Sequence, residues 1–221
     1  MSLPTWSYSS LKTFQQCPRK YYHIKVARDI ADSQHKAALY GQEFHTAAEV
    51  SVRDETPLDP RFAYAAPMVE ALKNIKGDKY CELELGLTRE LTTCTFDSPD
   101  AWWHGIIDLL IVDEADNLAY MVDYKTSKNA RYADTKQLDY MAAAVFAKFP
   151  KLKMIKSMLL FVVSVEFVKK NHTVEKVQDY ISTALPSLKR LETALETGVW
   201  NPVSGPLCGF CPVKTCEYNR S

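Results

Sequence analysis

The segment from Trp103 to Lys125 constrains the fold more than any other part of the chain. Trp103 to Val112 (WHGIIDLLIV) is a nearly continuous apolar run, as expected of a central strand, and Leu118 to Lys125 (LAYMVDYK) is a second. The acidic stretch Asp113 to Asn117 between them has the length of a turn, so the two runs predict an antiparallel pair. One carboxylate interrupts each run, Asp108 in the first and Asp123 in the second. A buried carboxylate is costly unless it is paired, hydrogen-bonded or bound to a metal. Singly, each is equally well explained by an exposed edge position or a local ion pair with Lys125. Together they say more. The turn puts them on neighbouring strands at similar height, and Lys125, two residues after Asp123, points to the same sheet face. Two carboxylates and a lysine on one face suit phosphodiester chemistry with Mg²⁺ or Mn²⁺. The metal polarises a phosphate oxygen and lowers the pKa of a water, and the ammonium orients the attacking species.

The flanking sequence completes an α/β pattern. Ser9 or Ser10 caps a short helix to about Gln16, with a break at Pro18; further helices are predicted over about 37–52 and 61–75. Lys79 to Thr88 alternates like a half-buried strand, with Tyr80, Glu82 and Glu84 on one face; Glu82 and Glu84 read as a solvated face, with one of them reaching a metal as the alternative. A helix is predicted over 135–149, stopped by Pro150. Met154 to Phe167 reads as one buried strand, about 174–196 as a helical region broken at Pro186, and the tail from Gly198 as a loop-built appendage. Helices, three strands, helix, strand, helix make an α/β layout with a mixed sheet. We expect one domain over 1–221, with a helical part (1–76), a catalytic core (77–197) and a cysteine-rich end (198–221).

Other classes are disfavoured. Seven glycines are few, and neither G-x-x-x-x-G-K-[ST] nor G-x-G-x-x-G occurs, which argues against P-loop and dinucleotide folds. No G-x-S-x-G supports a serine hydrolase. Met1 to Ser10 lacks the pattern of a secretory signal, and Met158 to Val165 is too short to span a bilayer, so a soluble cytoplasmic protein with reduced thiols is expected. The 27 basic and 27 acidic side chains cancel, but unevenly. Eleven acids face two basic residues over 77–123, and seven lysines face two glutamates over 148–176. Local basic strips can still guide a phosphate backbone.

Near the end stands Cys208-Gly-Phe-Cys211-Pro-Val-Lys-Thr-Cys216, a metal-binding spacing with Cys17 as the candidate fourth thiolate. Cys81 reads as core, and Cys94 has no assigned role. Trp102 and Trp103 read as packing residues rather than base-stacking ones, and His23, His35 and His172 have no partners at metal-ligand spacing.

The ordered set His45, Gly105-x-x-Asp108, Asp123-Tyr124-Lys125 and Gln137-x-x-Tyr140 resembles the PD-(D/E)XK nucleases, specifically the RecB-like branch, over roughly residues 8–218. The resemblance implies a restriction-endonuclease-like core. His45, Asp108, Asp123 and the Tyr124 carbonyl would ligate one or two catalytic Mg²⁺ or Mn²⁺ ions. Lys125 would position the water, and Gln137 and Tyr140 would orient the lysine or contact the DNA backbone. Cys17-Pro-Arg-Lys-Tyr-Tyr with the late cysteines is similar to the iron–sulfur members of that branch, among them CRISPR-associated and phage exonucleases. There a [4Fe–4S] cluster clasps the two chain ends, which would make Cys17, Cys208, Cys211 and Cys216 its ligands. The last gap, four residues, is one shorter than is usual in the family, which keeps zinc open as the alternative. The implied activity is a DNA exonuclease of 5′→3′ polarity acting on single strands or duplex ends, with a recombination or CRISPR-adaptation protein as partner. A DNA-binding or end-processing subunit of a recombination or integration complex, with a conditional or relic nuclease site, is the alternative.

Overall fold

Residues 4–31, 36–131 and 133–220 are described by the computed structural model, and the chain divides into two units, Met1–Gln34 with Ser182–Ser221 and His35–Ile181. In chain order, α1 (Tyr8–Gln16) and α2 (Pro18–Tyr21) lead into a π-helical turn, and α3 (Lys36–Arg53) and α4 (Ala66–Lys73) follow. Then come β1 (Asp78–Leu87), β2 (Thr93–Cys94), β3 (Trp103–Asp113) and β4 (Leu118–Lys125). The rest is α5 (Lys136–Lys148), β5 (Met154–Phe161), β6 (Glu166–Thr173), α6 (Val177–Ser182) and α7 (Leu185–Thr197).

The larger unit is an α/β fold on a mixed six-stranded sheet of order β2-β1-β3-β4-β5-β6. β3 and β4 pair antiparallel across the acidic turn, as the two apolar runs required. β4 and β5 are parallel, so a crossover must join them, and α5 supplies it. Alternation sorts the faces of the sheet. Leu109, Ile111, Val122, Tyr124, Leu160 and Val162 form one core with Phe44, Ala48 and Val52 of α3 and Val69 and Leu72 of α4. Asp108, Asp123 and Lys125 therefore take the other parity.

Met154 to Phe167 is not one strand. The chain turns at 162–165 and returns as β6, which pairs antiparallel with β5 from Phe161–Glu166 to Met154–Thr173. The turn, Val-Val-Ser-Val, carries no glycine, proline or asparagine to announce it, and Val165 closes it at φ 56°, a conformation that a β-branched residue seldom takes. The expected helix over 61–75 is a 3₁₀ turn, Pro60–Ala65, followed by α4.

In the smaller unit Ser7, rather than Ser9 or Ser10, caps α1: its hydroxyl accepts the Ser10 N–H at 3.2 Å, and the Ser10 hydroxyl accepts the Ser7 N–H at 2.9 Å. Pro18 and Pro186 sit in the first turns of α2 and α7. Each starts a helix, where its missing N–H costs nothing. Phe14, Tyr21, Leu191 and Ala194 form this unit's core, and Trp200 stacks on Tyr21 at 6.1 Å.

Candidate active site

The site forms where β3, β4 and β1 stop behaving as a regular sheet. The β3–β4 ladder runs from Asp113–Leu118 to Leu109–Val122 and ends one pair short of Asp108 and Asp123. Instead, Asp108 Oδ2 accepts the Tyr124 N–H at 2.6 Å. On the other side of β3, Cys81 pairs with Leu109 and Leu83 with Ile107, but Glu82 between them adopts φ 46° and leaves the ladder. A left-handed, non-glycine residue inside a strand costs about 1–3 kcal/mol, and such conformations cluster at functional sites.

Gly105 of the G-x-x-D motif has a steric reason. A Cβ there would lie 2.7 Å from the indole of Trp103, two residues earlier and 1% exposed. Trp103 is thus a packing residue, as expected. Gly41 lets α3 approach the segment after Lys125, since a Cβ there would meet Thr126 Oγ1 at 3.2 Å.

From α3, His45 places Nδ1 3.4 Å from Asp108 Oδ1 and 3.9 Å from Glu82 Oε1, with Nε2 3.2 Å from the Tyr124 carbonyl. His45, Glu82 and Asp108 offer ligand atoms within 4.8 Å of one another, the one such trio of His, Cys, Asp or Glu among the described residues. Asp123, 3% exposed, is turned to Lys125, whose ammonium lies 2.6 Å from Oδ2 and also donates to Gln137 Oε1 at 3.3 Å. The structure thus brings together His45, Asp108, Asp123, the Tyr124 carbonyl, Lys125 and Gln137. Tyr140, three residues beyond Gln137, is buried at 2% exposed.

From the sequence Glu82 reads first as a solvated residue, with reaching a metal only as the alternative it shares with Glu84. Instead of lying on a solvated face it is half-buried beside Asp108 and His45. Its place in the alternation is that of an ordinary half-exposed strand residue, so no local signal separated it from Glu84.

The charges do not balance internally. Burial first, then the Asp108 charge, raises Glu82 to about 7 and Asp123 to about 6. Burial pushes His45 down, but Asp108, Glu82 and Asp123 together hold it above its ordinary value. A hard divalent cation is the natural counter-charge for such a donor set.

In the smaller unit, Cys17, Cys208, Cys211 and Cys216 all line one cavity of about 320 Å³. None of the four is in a disulfide, and the Gly205 N–H donates to Cys208 Sγ at 3.3 Å. His23 pairs with Asp29, and His35 lies outside the described residues. No helix among the described residues is long and apolar enough to cross a membrane.

This fold and site define a nuclease class. The PD-(D/E)XK nuclease superfamily profile matches residues 5–216, and the chain belongs to that superfamily, whose members are metal-dependent nucleases. Among solved structures it is similar to SSO0001, at 13% identity and TM-score 0.53, over 100% of this chain and 90% of that one. It is also similar to a protein described as "Putative exonuclease" from Eubacterium rectale, at 14% identity and TM-score 0.53, over 100% and 94%. At that identity the likeness speaks for the fold. No curated protein matches the sequence.

Proposed function

We propose that this chain is a divalent-cation-dependent DNA exonuclease acting on single strands or duplex ends, with 5′→3′ polarity. The observation that carries the reading is the convergence of His45, Glu82 and Asp108 next to the Asp123–Lys125 pair, at a point where the sheet ladder opens. His45, Glu82, Asp108, Asp123 and the Tyr124 carbonyl would hold Mg²⁺ or Mn²⁺. The bound cation supplies a Lewis acid for a phosphate oxygen and lowers the pKa of a nearby water. The protein does the rest by placement. Tyr124 N–H fixes the Asp108 carboxylate, and Gln137 and Asp123 hold the Lys125 ammonium toward the position of the attacking water and the charge developing on phosphate.

A second part of the proposal concerns the cysteines. Four thiols around one cavity fit a metal centre that joins the N-terminal and C-terminal segments of the smaller unit. Zinc at about 2.3 Å from each sulfur would hold the sulfurs about 3.8 Å apart. The similarity of this cysteine set to the iron–sulfur members of the RecB-like branch supports a [4Fe–4S] cluster with a structural duty, and zinc is the alternative.

The deciding assay compares end-labelled linear DNA with covalently closed circles in Mn²⁺ or Mg²⁺, using wild type, Asp123→Ala and Lys125→Ala. We expect linear substrate to be degraded from its 5′ end, circles to survive, and both variants to be inactive. Cleavage persisting in both variants would reject the site, and cut circles would reject an exonuclease.

A further inference from the structure

Away from the cation site, a second group of buried polar side chains sits where α5 meets β5 and β6. Asp139 is 5% exposed, Ser157 2% and His172 0%. The Lys170 ammonium lies 2.7 and 2.8 Å from the two Asp139 oxygens. His172 Nδ1 is 3.4 Å from Asp139 Oδ1, and its Nε2 is 2.7 Å from Ser157 Oγ. The Ser157 hydroxyl donates to the Lys170 carbonyl at 3.0 Å, so its single proton is committed and the contact with His172 must be donated by Nε2–H.

The order Ser157–His172–Asp139 mimics a hydrolytic triad, but it does no hydrolysis. The serine has no proton to hand to the histidine, and neither side chain reaches solvent. Nor is such a network a cheap way to gain stability, since apolar residues of equal volume generally serve as well. What directed contacts to one carboxylate provide is a fixed position for the helix that carries it.

That helix also carries Gln137, the acceptor for Lys125 at 3.3 Å. Residues two apart on an α-helix point about 200° apart, so Asp139 anchors one side of α5 while Gln137 meets the lysine on the other. A rotation of α5 by ~10° moves an atom ~6 Å off the axis by ~1 Å. A displacement of that size near reacting groups can cost on the order of 10²-fold in rate.

We propose that Asp139, Lys170 and His172 form a positioning unit that sets the rotation of α5, so that Gln137 holds the Lys125 ammonium in its working place. The proposal rests on the nuclease reading above, and its residues touch neither substrate nor cation. The test uses Asp139→Asn, His172→Phe, and a triple replacement, Asp139→Leu with Lys170→Met and His172→Phe, which removes all the charge while keeping volume. Three quantities are read: kcat and KM on end-labelled single-stranded DNA, Mn²⁺ affinity by calorimetry, and the NMR position of the Gln137 side-chain amide in metal-free protein.

We expect kcat to fall roughly 10- to 100-fold, with KM and Mn²⁺ affinity nearly unchanged and the Gln137 resonance displaced. The triple variant should melt at or above the wild-type temperature and stay slow, which a purely structural role would not produce. A folded Asp139→Asn or triple variant with wild-type kcat and an unmoved Gln137 amide overturns the proposal. If those variants do not fold, Ser157→Ala decides: it frees His172 Nε2, and an unmoved Gln137 amide with unchanged kcat overturns the idea equally. Asp123→Ala separates the two readings. If it still cleaves, the nuclease site is wrong, and the Gln137 amide alone reports on the positioning unit.

Discussion

Stripped of divalent cations, the protein should be less stable at pH 8 than at pH 5. In the folded chain Asp123 is raised from 3.8 to about 6 and Glu82 from 4.5 to about 7, burial being the larger cause in each and Asp108 the next. A carboxyl raised on folding binds its proton more tightly in the native state, so native stability falls as pH climbs from the unfolded to the folded value. His45, also raised, adds the same sign, because its contribution is lost as pH rises through its folded value. Asp139 does not oppose this window: burial raises it, but His172 and the Lys170 ammonium beside it outweigh burial and hold it below 3.8. Between pH 5 and 8 the Asp123 term changes by about one pH unit of differential binding, or about 1 kcal/mol. The Glu82 term is nominally larger, but its side chain is 35% exposed, and halving it for solvent screening leaves about 1 kcal/mol. The sum of about 2–3 kcal/mol corresponds to about 5–10 °C in Tm for a chain of this size. Melting followed by circular dichroism in EDTA, at constant ionic strength from pH 5 to 8, measures it directly. Mn²⁺ should flatten or invert the slope, because the cation then takes the place of the protons. A Tm that is level or rises from pH 5 to 8 in EDTA would refute the charge reasoning.

The same geometry makes narrower claims. Glu82→Gln should weaken Mn²⁺ binding by roughly tenfold or more in a calorimetric titration, since a ligating carboxylate is lost; unaltered affinity would remove Glu82 from the site. Lys125→Ala should lower kcat by roughly 10²-fold or more without weakening Mn²⁺ binding, because the ammonium donates no ligand and its loss leaves the Asp123 carboxylate it contacts free for the cation. Gly105→Ala should cost about 1–3 kcal/mol in chemical denaturation, since the new methyl must displace a buried indole; a neutral result would mean that Trp103 moves freely. Protein purified without oxygen should be brown, with absorbance near roughly 400 nm and bound iron. Cys208→Ser or Cys211→Ser should lose colour and melt lower while keeping cation-dependent cleavage, and a colourless wild type containing zinc would correct the cluster assignment.

Sequence alone determined the parts of this protein that depend on neighbours in the chain. Apolar runs split by a short acidic turn specified the β3–β4 pair, and period-2 alternation then forced Asp123 and Lys125 onto one face. The spacing of Gln137 after Lys125 matched a helix that returns to the same place. The β5–β6 hairpin stayed hidden because its turn is built from valines, so the strain that makes the turn is borne by pairing along the whole of β6 rather than by a turn residue. Glu82 was left undecided between two readings for a related reason: it shares one face of an alternating strand with Glu84, and only the folded chain, with Glu82 in a left-handed conformation, sets its carboxylate beside His45 and Asp108. The buried Asp139–His172–Ser157 contacts join residues 15 to 33 positions apart on three elements. No local pattern encodes such a meeting. Tertiary packing decided it, because burial creates the demand for partners and only the folded sheet brings those partners within hydrogen-bonding distance.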